Sequence, residues 1–522
     1  MRNQCAARVF LRNWLFNDIQ GQGRAIVDNR YLSSRVVEHT LNFKKAMGSS
    51  TIDAVAGFSY QEFQNQGDWV QARFFVTDLI SLVDNLDGVN AQDNNNAYRA
   101  ASDRSVEELQ SYFGRVNYSI GDRFIFTGTV RADGSTKFGP NNKYGIFPAI
   151  NGAWRLSEES FIPEAFYDLK LRAGWGITGN QEFPGNASKA ILRANNAGVF
   201  DIVQFPNPDI RWESTTQTNI GLDFGFAGGR LTGSLDYFNK VTKDLIFLQT
   251  FAQPAPGNAT QFFNLDGDVV NSGVELTLDA RVVDKKSFNW QVLFNAATLK
   301  NEVRDLPTFV NTGAINGQGL TGAYAQRVIS GSPLFAFYLR EFGGFTNEGL
   351  GIYPNGDLVT YAGSPIPTFT SGLTNNFTFG NLDLSIFFNG VFGHYIYNNT
   401  ANAIFLKGNL RNGRNVSRDL ANSPESPNNF GEASTRFLEK GDFVRLQNLT
   451  VGYTFNTGNW KGINSLRLYL TGQNLLLFTG YTGFDPEVNT DKSLNGIPSF
   501  GIDYTAYPSA RTISLGLNVG FN

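Results

Sequence analysis

The chain has 522 residues, of which 17% are charged and 14% aromatic, with 46 Phe, 55 Gly and only 2 Met. That charge content lies below the roughly 25% of soluble proteins, and 43 basic against 46 acidic residues exclude the basic surface of a nucleic-acid binder. No run of about eighteen apolar residues occurs, which excludes a helical membrane protein, and the lone Cys5 excludes an intramolecular disulfide. What remains is a chain of alternating strands, each with one apolar and one polar face, a balance that a soluble all-β protein can share.

The first eighteen residues, MRNQCAARVFLRNWLFND, lack the apolar stretch of a secretory signal. Residues 1–34 read as an amino-terminal segment holding at most one strand, at 8–16, and 35–522 as a continuous series of strands. Period-two alternation places these near 35–46, 51–63, 112–119, 123–133, 144–155, 169–176, 217–226, 230–239, 272–283, 287–298, 368–379, 382–390, 443–455, 464–473 and 510–521. The last is the clearest, with Ile513, Leu515, Leu517, Val519 and Phe521 alternating with Ser514, Gly516, Asn518 and Gly520.

The connections alternate as regularly as the residues do. Short ones fall at Gly48-Ser49-Ser50, Ile120-Gly121-Asp122, Ala227-Gly228-Gly229, Asp284 to Ser287, Gly380-Asn381 and Asn456 to Ile463. Long ones fall at 64–111, 177–216, 240–271, 299–367, 391–442 and 474–509, while 134–143 and 156–168 are intermediate. Soluble sandwiches carry long loops at both ends. Outer-membrane barrels have tight periplasmic turns and long external loops, because hydrocarbon tolerates only sheets whose backbone groups are all paired. The expected fold is therefore an all-β antiparallel transmembrane β-barrel portion of fifteen strands, sixteen with 8–16.

Phe226, Tyr237, Phe238, Trp290, Tyr453, Phe455 and Phe478 cluster where such strands meet lipid headgroups, as membrane-interface girdles do. Phe521 stands where barrels carry a terminal aromatic assembly signal, followed here by Asn522. Loop aromatics Tyr324, Phe337, Tyr338, Tyr395, Tyr397 and Tyr481 are candidates to stack on a sugar face. Catalytic, cofactor and metal sites are not expected. The two histidines, His39 and His394, sit in no metal spacing, and there is no GxSxG elbow or phosphate-binding loop.

The stretches FGRVNYS (113–119), RADGSTKFGPNNKYGIFPAINGAWRLSEESF (131–161), LKLRAGWGITGNQ (169–181) and NPDIRWESTTQTNIGLDFGF (207–226) resemble the SusC/RagA class of TonB-linked outer-membrane proteins. So do LDYFNKVTKDLIF (235–247), RFLEKGDFVRLQNLTVGYTF (436–455), LYLTGQNLLLFTGYTGFDPEV (468–488) and YPSARTISLGLNVGF (507–521). The resemblance runs from about residue 30 to the end. It implies a barrel of about 22 strands with a plugged lumen, in the outer membrane of a Bacteroidota-type bacterium. It further implies import of oligosaccharides or peptides, a SusD-like surface lipoprotein as lid, and energy from TonB–ExbB–ExbD.

No plug, TonB-box-like strand or signal is recognisable in the sequence. The expectation is thus the carboxy-terminal part of a transporter, incapable of import by itself. The alternatives are a plugless passive pore, a structural surface protein, or a soluble β-rich binding protein. Many relatives have an acidic calcium-loop-like segment where this chain has Asn355-Gly356-Asp357, which reads here as a tight turn.

Overall fold

In a computed structural model of the chain, described for all residues except 1, 11–22, 76, 78, 80, 87–97, 195–197, 252–258, 317–319, 321, 459, 495 and 522, the alternating segments form one antiparallel meander. Its sixteen long strands are β1 (Arg2–Phe10), β2 (Gly23–Met47), β3 (Ser50–Phe75), β4 (Tyr98–Ile120), β5 (Phe124–Ser135), β6 (Tyr144–Arg155), β7 (Phe166–Asn180) and β8 (Glu213–Phe226), then β9 (Leu231–Lys243), β10 (Asp268–Lys285), β11 (Phe288–Thr298), β12 (Phe369–Phe379), β13 (Leu382–Phe392), β14 (Phe443–Phe455), β15 (Ile463–Thr479) and β16 (Thr512–Phe521). Among the described residues each of the sixteen pairs with its neighbours in this order and with no other of them. Lys300–Arg304 prolongs the pairing of β11 with β10.

Short connections (48–49, 121–123, 156–165, 227–230, 286–287, 380–381, 456–462) all lie at one rim. The long ones, from 76–97 to 480–511, all lie at the other. The intermediate pair resolves by the same parity: 156–165 is folded tightly at the short-turn rim, where Glu159 pairs with Arg123 and accepts a 3.0 Å bond from Trp154. Gly48 and Gly380 turn their hairpins at φ 62° and 57°, in the left-handed region that only Gly enters without strain.

Register explains why the sequence alternates. Ile220, Tyr237 and Val274 are in-line partners across three strands, as are Leu222, Leu235 and Leu276. The same face continues through Leu278, Phe294, Leu373 and Phe388, and ends on Val451, Leu470 and Leu515. A one-residue slip would send this whole apolar set to the other face. The opposite face carries Lys170, Arg172, Asp223 and Asp236, linked by ion pairs of 2.6–2.9 Å.

Glycines on the polar face leave room for these side chains. A Cβ on Gly221 would lie 2.8 Å from the Arg172 guanidinium and strike the Asp236 carboxylate. Gly57 lies beneath the ring of its partner Phe113, and Gly516 beneath Tyr469, the covering of a strand glycine by an aromatic neighbour. Gly221→Val is therefore expected to cost about 1–3 kcal/mol by overpacking, measured as a lowered denaturation midpoint in detergent, with Gly128→Val, where a Cβ meets nothing, as the mild control.

Two expectations are corrected. The segment 64–111 is not one loop: β3 continues to Phe75 and β4 begins at Tyr98, through pairs such as Gln66 with Arg104. Those residues are polar on both faces, so the apolar alternation that marked the lower strands was missing. The boundary at residue 34 falls inside the unbroken β2; of the expected strand at 8–16, residues 8–10 end the strand Arg2–Phe10 and the rest lies outside the described residues. Among the described residues β1 covers only Arg24–Leu32 of β2, and residues 33–47 pair with β3 alone. Among the described residues β1 and β16 do not pair, and the sheet does not close on itself.

Candidate functional site

Three long loops fold together over the rim opposite the short turns. Val310–Ala314, Tyr324–Val328, Ala336–Arg340 and Val359–Gly363, all from the β11–β12 connection, form an antiparallel sheet. Tyr395–Asn398 from the β13–β14 connection pairs on one side with Leu438–Lys440 and on the other with Ile502–Asp503 from the β15–β16 connection. Phe337, Leu339, Tyr397, Ile502, Ile315 and Ala325 make their shared core. A short helix, α1 (Asn399–Ile404), follows, its first turn capped by the Asn398 side chain accepting from the Ala401 amide at 2.9 Å.

Buried polar groups fix how the loops meet. Arg445, 3% exposed at the top of β14, holds Asp485 at 2.5 Å and Glu487 at 2.9 Å, tying the last long loop to the wall. Tyr481 donates to Asp503 at 2.7 Å, and Thr400 donates to the other carboxylate oxygen at 3.0 Å. Burial and that carboxylate push the Tyr481 hydroxyl far above its ordinary value. Arg436 bonds both oxygens of Glu425 at 2.9 and 2.8 Å while lying against the rings of Phe342, Phe345 and Phe437. None of these pairs was legible as a pair in sequence, although Arg436, Phe437 and Arg445 lie within the RFLEKGDFVRLQNLTVGYTF stretch.

The six loop aromatics separate accordingly. Phe337 and Tyr397 are fully buried and Tyr481 is 5% exposed, so all three pack the loops and present no face to a ligand. Tyr324, Tyr338 and Tyr395 stay half-exposed. Tyr338 shares a 2.8 Å bond with Ser332 and meets the exposed Tyr361 edge-on at 6.0 Å. His394 is buried, with desolvation lowering its pKa despite Asp442 nearby. Asn355-Gly356-Asp357 forms a turn with Gly356 at φ 59°, and the fully exposed Asp357 reaches Arg340 at 3.2 Å.

The girdle residues share neither one level nor one face. Phe226, Trp290, Tyr453 and Phe455 lie on the apolar face at the short-turn rim, where Phe226 meets Phe166 at 4.3 Å, Trp290 stacks on Phe377 at 5.7 Å, and Tyr453 meets Phe455 at 4.9 Å. Phe124–Trp154 and Phe288–Phe379 continue this belt. Phe478 is exposed near the opposite rim, and Tyr237 sits midway along β9. Phe238, next to Tyr237, necessarily points to the polar face, where Lys240 approaches its ring at 5.5 Å. Phe521 ends β16 at the short-turn rim, opposite Ile463 and 72% exposed.

An apolar outer face, a polar inner face, one aromatic belt and one folded mouth define an outer-membrane barrel wall. The chain belongs to the TonB dependent receptor-like, beta-barrel family, whose model matches residues 7–475. It is 31% identical to TonB-dependent receptor P3 of Formosa agariphila over 96% of its own length and 53% of that protein's. It is also 31% identical to TonB-dependent receptor SusC of Bacteroides thetaiotaomicron, over 79% of the chain and 44% of SusC. The fold overlays on the structure of the RagAB peptide transporter with a TM-score of 0.84 at 22% identity, covering 99% of this chain and 58% of that one. The chain is thus an outer-membrane protein of the SusC/RagA type, in a family of transporters rather than enzymes, and it spans about half the length of the curated relatives it matches.

Proposed function

We propose that this chain is the carboxy-terminal barrel of an energised importer of oligosaccharides, or of peptides, working with a SusD-like surface lipoprotein. The observation that carries this is the pairing of 31% identity to SusC with a wall of sixteen long strands whose two edges do not meet among the described residues. Among the described residues, 33–47 of β2 and the whole of β16 are each paired on one side only, which calls for further strands, and the greater length of the relatives supports an upstream portion that supplies them together with the plug and the TonB contact. The short-turn rim then faces the periplasm and the folded loops face outward. A passive pore would instead need β1 to pair with β16.

Oligosaccharide accumulation by cells carrying a transporter built around this barrel is expected to vanish when either TonB or the lipoprotein is deleted. Cells producing these 522 residues alone should accumulate none. Uptake by the chain alone that is indifferent to TonB would contradict the proposal and favour the pore.

A further inference from the structure

Much of the polar face is hydrogen-bonded to itself. Gln291 donates to Asp279 at 2.8 Å, Ser385 to Asn376 at 2.8 Å, and Thr450 shares a 3.0 Å bond with Thr471. A stretch of the wall below the folded loops is not. Across β10 to β13, Thr277, Asn295, Gly372 and Asn389 stand in one register row, and Glu275, Ala297 and Thr370 in the next. Among the described residues, the side chains of Glu275, Thr277, Asn295, Thr370 and Asn389 have no hydrogen-bond or ion-pair partner.

These five groups surround a hollow of about 290 Å³, completed by the ring of Phe387. Gly372 is its floor, since a Cβ there would strike the Asn295 amide oxygen and come within 3.2 Å of the Phe387 ring. Asn389 is also the register partner of Arg445, which anchors the last long loop. The hollow therefore lies directly beneath the mouth.

We infer that this hollow is a subsite for one pyranose unit of the cargo, an assignment that rests on the saccharide reading above. A pyranose offers an apolar C–H face and a ring of hydroxyls that both donate and accept. Phe387 supplies a surface for the first. Asn295 and Asn389 each bring an amide donor and acceptor, Thr277 and Thr370 bring hydroxyls, and the Glu275 carboxylate accepts from hydroxyl donors. The set contains no cation, so a carboxylate or phosphate ligand would find no counter-charge.

The test is calorimetric titration of the full chain in detergent with maltoheptaose, and separately with a heptapeptide of neutral side chains. Phe387→Ala and Asn389→Asp are expected to weaken saccharide binding about tenfold or more, while Phe238→Ala, a polar-face aromatic on β9, changes it by less than about twofold. Asn389→Asp keeps the volume, so it reports even where the ring truncation impairs folding, which heat-dependent gel mobility reveals. Saccharide binding that is equal in all three variants overturns the subsite and leaves the cargo reading standing. Peptide binding without saccharide binding overturns the cargo reading and the subsite with it.

Discussion

Replacing Arg436 by Ala is expected to loosen the loop-built mouth while leaving the strands below it intact. The Glu425 side chain is fully buried, and Arg436 is its only ion-pair partner among the described residues. Removing the guanidinium strands a buried carboxylate, which costs roughly 3–5 kcal/mol. Hydrogen exchange should show amide protection lost around residues 342–352 and 424–440 and retained in β14. Arg436→Lys should rescue little, because an ammonium cannot hold two oxygens in a planar fork. Unchanged protection in Arg436→Ala would contradict this account of the mouth.

The same pair makes the mouth acid-sensitive. Burial alone would raise the Glu425 pKa, but the bonds from Arg436 and Asn429 outweigh it and hold the carboxyl below its ordinary range. Asp485 is shifted the same way, its burial outweighed by bonds from the Glu487 amide, Ser509 and Arg445. A depressed folded-state pKa means that the stabilisation is complete above the unfolded carboxylate range of about 4. It is lost as pH falls through the folded value. Protection of the loop amides, corrected for intrinsic exchange at each pH, should thus fall below about pH 4, ahead of protection in the strands.

The second large effect concerns the apolar face. Leu470 stands between Val451 and Leu515 in register, midway along β15. Leu470→Arg is expected to destabilise the chain in lipid by roughly 2–4 kcal/mol, the penalty for Arg near a bilayer midplane. Thr471→Arg, one residue on and facing the lumen beside Thr450, should cost well under half of that. Reversible denaturation in vesicles measures both. Equal penalties would mean that the two faces do not differ in solvent.

The strands with one apolar face were legible in sequence, because lipid on one side and water on the other impose a period of two. Leu231–Lys243 and Thr512–Phe521 lie close to their expected places for that reason. The upper halves of β3 and β4 were not legible. Gln64, Asn65, Gln66, Gly67 and Asp68 are polar on both faces, and only ladder pairing with residues far away in sequence holds them extended. Alternation also could not sort neighbours: Tyr237 and Phe238 were grouped as one girdle although adjacent strand residues face apart.

The mouth was the least legible part. Tyr397 and Phe337 are typical of exposed sugar-stacking loops and of small buried cores alike. Burial decided between these, and it depends on pieces brought from three loops, such as Ile502 beneath Tyr397. The Arg445–Asp485 pair spans 40 residues, a distance at which no local pattern signals a partner. The hollow around Gly372 is likewise a product of register between four strands, each of which reads singly as an ordinary polar alternation.

The central claim is that the chain is a membrane wall with lipid on one face and a polar lumen on the other. Spin labels placed singly at 231–243 in the full chain, reconstituted in lipid vesicles, test it most directly. Collision with oxygen dissolved in lipid is expected at Leu235 and Tyr237, and with a water-soluble nickel chelate at Ser234, Asp236 and Phe238. A uniform response along the strand, or contact with the water-soluble reagent at Leu235 and Tyr237, would contradict it.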